Sequence, residues 1–82
     1  SRELYDKLWS SLPGMLEELE KHLNNSDFIK VRSLAHQLKG SSGTLRIQKL
    51  YELFLDLEQK AIAEDTAASV DTLQFIKRLV KS

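Results

Sequence analysis

The chain has no cysteine, one proline, three glycines and no surplus of either charge. Without cysteine it forms no disulfide and offers no thiolate to a metal, which is compatible with a reducing compartment. Acidic and basic residues balance at 12 each in 82 residues. No block of one sign supplies the basic surface on which nucleic-acid binding rests, so nucleic acid is not an expected partner. No apolar stretch approaches the roughly 18 residues of a membrane span, and there is no signal-peptide pattern, so no membrane contact is expected either. Scarce proline and glycine leave few breaks, which favours long helices. No run alternates with period two, so strands are not expected.

What is present is helical periodicity over a length that suits one domain, residues 1–82, with a single modest core. The chain opens Ser1-Arg2-Glu3 without an initiator methionine and is read as a piece of a longer protein. A first short helix is expected over Arg2–Ser10, with Leu4, Leu8 and Trp9 as its apolar residues. Ser11-Leu12-Pro13 resembles a restart, because proline is tolerated in a helix's first turn. A second helix then runs from Pro13 to Leu23 and buries Met15, Leu16, Leu19 and Leu23. Asn24-Asn25-Ser26-Asp27 breaks the pattern and offers Ser26 or Asp27 as the next N-cap. The third helix spans Asp27–Leu45, and the fourth, Ile47–Glu64, buries Ile47, Leu50, Phe54, Leu57 and Ala61. After an Asp65-Thr66 cap, a last helix carries Val70, Leu73, Ile76 and Val80. Short connections make successive helices antiparallel neighbours. The expected fold is all-α, an antiparallel up-down four-helix bundle with a short extra N-terminal helix.

The third helix carries the chemistry. At about 100° per residue, Phe28, Val31, Leu34, Ala35, Leu38, Ser42 and Leu45 share one arc. His36 lies roughly 140° from the centre of that arc, with Arg32, Lys39, Gly40 and Gly43 around it. Interior helical glycines cost about 1 kcal/mol each relative to alanine. Two within a turn of each other, Gly40 and Gly43, call for a reason: close packing, access to the imidazole, or both. Lys39 shares the histidine's face as a mobile point charge suited to phosphate. If the third and fourth helices form a hairpin turning near residues 46–47, Glu58 falls level with His36 and Tyr51 with Gly43. Glu58 is then either the acceptor for the imidazole Nδ1–H, leaving Nε2 as an exposed nucleophile, or an ordinary boundary glutamate. Tyr51, Leu55 and Ile62 extend the fourth helix's apolar arc away from the core, and Ile29 shares the histidine face. These form a docking surface, or pack as core against the first short helix. His22 has no motif around it, and Ser41 and Ser42 are small packing residues with no base to activate them.

The run Ala35-His36-Gln37-Leu38-Lys39-Gly40-Ser41-Ser42-Gly43-Thr44-Leu45 resembles the centre of the histidine phosphotransfer (HPt) domains of two-component phosphorelays. That centre reads Ala-His-x-Leu-Lys-Gly-Ser/Ala-Ser/Ala, then a small residue or two, an aliphatic and often a glycine. Many members carry a glutamate or glutamine at the spacing of Glu58 from His36, and the resemblance extends over nearly the whole chain. It departs at Arg46, where the family usually has a glycine that eases the turn between the central helices.

The resemblance implies that His36 takes a phosphoryl group on Nε2 from a receiver-domain phospho-aspartate and hands it to the aspartate of another receiver. Lys39, Gly40 and Glu58 would support the phosphate and the ring, and Ile29, Arg32, Gly43, Tyr51 and Leu55 would meet the receiver. The chain has no carboxylate cluster for Mg²⁺ and no Gly-rich nucleotide loop, so Mg²⁺ is expected on the partner receiver and no cofactor on this domain. It is expected to be a cytoplasmic monomer, an acceptor and donor rather than an independent enzyme, and the C-terminal module of a hybrid sensor histidine kinase. The competing class is a helical interaction module without transfer. A histidine-ligated metal or haem bundle would need inward-facing histidines, which His22 and His36 do not provide.

Overall fold

The computed structural model describes residues 2–81 and contains four α-helices: α1 (Arg2–Asn24), α2 (Phe28–Thr44), α3 (Gln48–Ile62) and α4 (Thr66–Lys81). The break expected between Ser10 and Pro13 is absent, so there is no separate short helix at the front; α1 runs through Pro13. The reason is non-local. Leu8, Leu12, Leu16, Leu19 and Leu23 are all buried and keep one helical phase across the proline. An interior proline costs about 3 kcal/mol, whereas each buried leucine contributes about 1.5–3 kcal/mol, and a restart would move Leu8 and Leu12 off the stripe. The proline ring itself faces solvent. Just before it, Ser11 Oγ donates to the Lys7 carbonyl at 2.8 Å and Ser10 Oγ does so at 3.1 Å.

The three connections share one geometry. Ser26, Arg46 and Glu64 have φ of 54°, 58° and 54°, and each sits just past a helix end in the left-handed conformation. Arg46 N–H donates to Gly43 C=O at 3.1 Å and Ile47 N–H to Ser42 C=O at 2.9 Å. The paired bonds of a Schellman motif recur at Ser26–Asp27 and Glu64–Asp65. The residue that closes each turn also starts the next helix. Asp27 accepts from Lys30 N–H at 3.2 Å and Asp65 from Ala68 N–H at 3.1 Å, while Ile47 has no side-chain cap to offer.

Such tight turns make neighbours antiparallel. Among the described residues α1 packs on α2 and α4, α3 packs on α2 and α4, and no Cα atoms of the diagonal pairs approach within 8 Å. The result is an up-down ring around Phe54, Leu12, Leu19, Leu38, Leu57 and Ile76. Polar clamps close its flanks: Lys60 and Thr72 both reach Asp56, and Lys77 bridges Glu20 at 3.0 Å and Glu17 at 3.3 Å. Four apolar expectations shift. Leu4 is 52 % exposed and Met15 and Ile47 are only half-buried, while Val70 lies outside because Ser69, Thr72, Leu73 and Ile76 form α4's buried stripe.

Candidate functional site

Val31, Leu34, Ala35 and Leu38 turn one face of α2 into the core, which leaves His36 outside with a side chain 67 % exposed. The turn at Leu45-Arg46-Ile47 sets the register of the central hairpin despite having no glycine. Glu58 stands opposite His36, and Tyr51 opposite Gly43. The carboxylate of Glu58, with a side chain only 11 % exposed, has Oε2 at 2.7 Å from His36 Nδ1. Its Oε1 lies 2.7 Å from Lys39 Nζ.

Burial pushes the Glu58 carboxyl up, but the hydrogen bonds it accepts from Lys39 and His36, with the positive charge of Lys39, outweigh it, so the group sits below the ordinary glutamate value. An ionised carboxylate carries no proton to give, so the imidazole hydrogen belongs on Nδ1. Nε2 then keeps its lone pair on an exposed ring. The exposed imidazole is thus oriented by a carboxylate, and Glu58 is its hydrogen-bond partner.

The two glycines do different things. A Cβ on Gly43 would lie 3.1 Å from Tyr51 Cδ1, so this position seats the tyrosine ring. A Cβ on Gly40 would meet nothing within 4 Å, and the space beside it is open. Around the histidine, Ile29 is 83 % exposed and Ile62 54 %, Arg32 is exposed, and Tyr51 and Leu55 are half-buried. α1 lies diagonal to α3, with no Cα–Cα distance of 8 Å or less between them among the described residues, so it is not the helix beside the Tyr51, Leu55 and Ile62 stripe.

Sequence reasoning missed one feature beside this site. An open groove of about 580 Å³ runs between α1 and α2, lined by Leu4, Leu8, Met15, Leu38, Gly40 and Leu45 among others. Treating residues 2–10 as a separate helix hid it, since the groove needs α1 to be continuous and in register with α2. Among the described residues no three His, Asp or Glu side chains gather as metal ligands, and no helix is long and apolar enough to cross a membrane.

The fold and site define a class: a helical bundle that displays a carboxylate-oriented histidine on its central hairpin. The family model described as Hpt domain matches residues 3–81, nearly the whole chain, and the chain belongs to that family. Hpt domains serve histidine phosphotransfer in two-component signalling, in phosphorelays where they meet receiver domains. No curated protein and no solved structure matches the chain.

Proposed function

We propose that His36 is the relay residue: it accepts a phosphoryl group from the phospho-aspartate of one receiver and delivers it to the aspartate of another. The observation that carries this is the 2.7 Å bond from His36 Nδ1 to the buried Glu58, which leaves Nε2 bare on an exposed ring. In the forward step the Nε2 lone pair forms the N–P bond as the bond between phosphorus and the aspartyl oxygen breaks. The electron pair leaves with the aspartate as a carboxylate. No proton has to move. The ring becomes a phosphorylated imidazolium that keeps its Nδ1–H, and the charge that develops on it faces the Glu58 carboxylate. The return step reverses these changes on the second receiver.

Positioning and electrostatics supply most of the catalysis in phosphoryl transfer. In this reading the receiver brings Mg²⁺ and the in-line geometry, and the Hpt chain brings an oriented nucleophile with room beside Gly40 for the group. Within α2 the charged residues are Lys30, Arg32 and Lys39 with no carboxylate among them, which suits an acidic partner face. Ile29, Arg32, Tyr51 on its Gly43 seat, and Leu55 form the docking surface on one side of His36, and the α1–α2 groove extends it on the other. The chain acts as a cytoplasmic monomer.

The test is to mix the protein with a phosphorylated receiver and Mg²⁺ and follow label onto wild type and His36→Gln. An acid-labile, alkali-stable phosphate on wild type alone is expected. Equal labelling of both, or no label from any of several receivers, would overturn the proposal.

A further inference from the structure

Of the cations on α2, two are already held. Lys30 Nζ lies 3.6 Å from Asp27 Oδ2, and Lys39 Nζ lies 2.7 Å from Oε1 of Glu58 with its side chain only 19 % exposed. Arg32 is exposed and makes no hydrogen bond or ion pair among the described residues. Arg32, His36, Lys39 and Gly43 form one row along α2, because spacings of four and three return to the same face. The register that pairs His36 with Glu58 and Gly43 with Tyr51 puts Ile62 across from Arg32, so α3 presents an apolar residue there and no carboxylate. Helical side chains lean toward the N-terminus, so the His36 ring lies over the turn that carries Arg32. With Nδ1 tied to Glu58, Nε2 is on the far side of the ring from that carboxylate.

We infer that Arg32 holds the phosphoryl group on His36: its guanidinium donates to the phosphoryl oxygens once the N–P bond at Nε2 has formed. The inference rests on the relay reading for its place in the reaction. A charge count supports it. The group brings about two negative charges. The phosphorylated imidazolium and Lys39 supply two positive ones, and the Glu58 carboxylate offsets one of those. One negative charge is left over, and among the described residues Arg32 is the cation within a turn of His36 that no carboxylate holds. A guanidinium fork offers two parallel N–H donors to one phosphoryl group, and it stays charged throughout the working pH range. Lys39 could turn to the phosphate only by leaving the buried Glu58 with one partner fewer. Arg32 therefore has a task distinct from docking: it binds the phosphorylated form of this chain whether or not a receiver is present.

The experiment loads His36 without any receiver, using phosphoramidate: Nε2 forms its N–P bond as the donor's own N–P bond breaks, and the electron pair leaves with ammonia. The second ionisation of the phosphoryl group, at about pH 6, is then followed by ³¹P NMR in wild type, Arg32→Gln and Arg32→Lys. A neighbouring cation favours the doubly charged form. The acid constant should fall about threefold in Arg32→Gln, within the range that one exposed ion pair contributes, and Arg32→Lys should keep most of it. An unchanged ionisation in loaded Arg32→Gln would overturn the proposal. The transfer equilibrium with a receiver is a second reading. Loss of a phosphoryl contact moves it about threefold toward the receiver, whereas loss of a docking contact slows both directions and leaves it where it was. An unmoved equilibrium with both rates reduced would make Arg32 a docking residue only. If phosphoramidate leaves His36 of the wild type unphosphorylated, this proposal and the relay reading fall together. If it loads His36 but no receiver does, the relay reading falls and the Arg32 result stands.

Discussion

Arg46→Gly should make the protein more stable without moving the site. Arg46 holds φ at 58°, and its backbone N–H is tied to Gly43 C=O, so the turn is built in the geometry that glycine adopts freely. The left-handed conformation costs a residue with a Cβ about 1–2 kcal/mol. Glycine forfeits roughly 0.5–1 kcal/mol of backbone entropy on folding. The difference leaves a net gain of about 0.5–1 kcal/mol, which for a domain of this size raises Tm by about 2–8 °C. Thermal unfolding followed by circular dichroism at 222 nm reads it, with Ser26→Gly and Glu64→Gly as matched comparisons because their φ values are both 54°. All three should rise by similar amounts. The His36–Glu58 contact should persist in Arg46→Gly, since the hydrogen bonds that define the register are backbone bonds. A fall in Tm for Arg46→Gly alone would refute the reasoning, because the side chain would then be contributing more than its conformation costs.

Gly40→Ala should raise Tm by about 4–8 °C, since a Cβ meets nothing there and alanine is the better helix former by about 1 kcal/mol; it should also slow transfer if the open space admits the phosphoryl group. Gly43→Ala should gain less or lose, because its Cβ would press on Tyr51 at 3.1 Å, and equal Tm changes at the two glycines would contradict their assigned roles. Ser42 Oγ is fully buried without a hydrogen-bond partner, so Ser42→Ala should stabilise by about 1 kcal/mol in urea unfolding. Stability should also fall at both ends of the pH scale. Glu20, Glu58 and Asp56 are held below their ordinary values, so their contribution is complete above about pH 4.5 and is lost as pH falls through the lowered values. Lys77 is held above its ordinary 10.5, so its contribution is complete below that pH and is lost as pH rises through the raised value. A melting temperature independent of pH down to 2.5 would contradict the acid limb.

The central hairpin was legible because both of its helices carry clean apolar arcs and the turn between them is short. Once Leu38 and Phe54 are placed inward, Glu58 opposite His36 and Tyr51 opposite Gly43 follow from antiparallel counting. The continuity of α1 was not legible, since Pro13 is a strong local signal whereas the burial of Leu12 depends on the core shared with the other helices. The α1–α2 groove was lost with it. Val70 was misplaced by one residue of phase, because small polar Ser69 and Thr72 occupy buried positions that a hydrophobic pattern passes over. Lys39 was placed on the right face, but its partner is a carboxylate on another helix, which spacing along α2 does not reveal.

The central claim is that Glu58 holds the hydrogen on His36 Nδ1 and so leaves Nε2 to take the phosphoryl group. Its most direct test is ¹⁵N and ³¹P NMR of the protein phosphorylated by a receiver with Mg²⁺. The account predicts phosphorus on Nε2 of His36, with Nδ1 still protonated. Phosphorus on Nδ1, or on any residue other than His36, would contradict it.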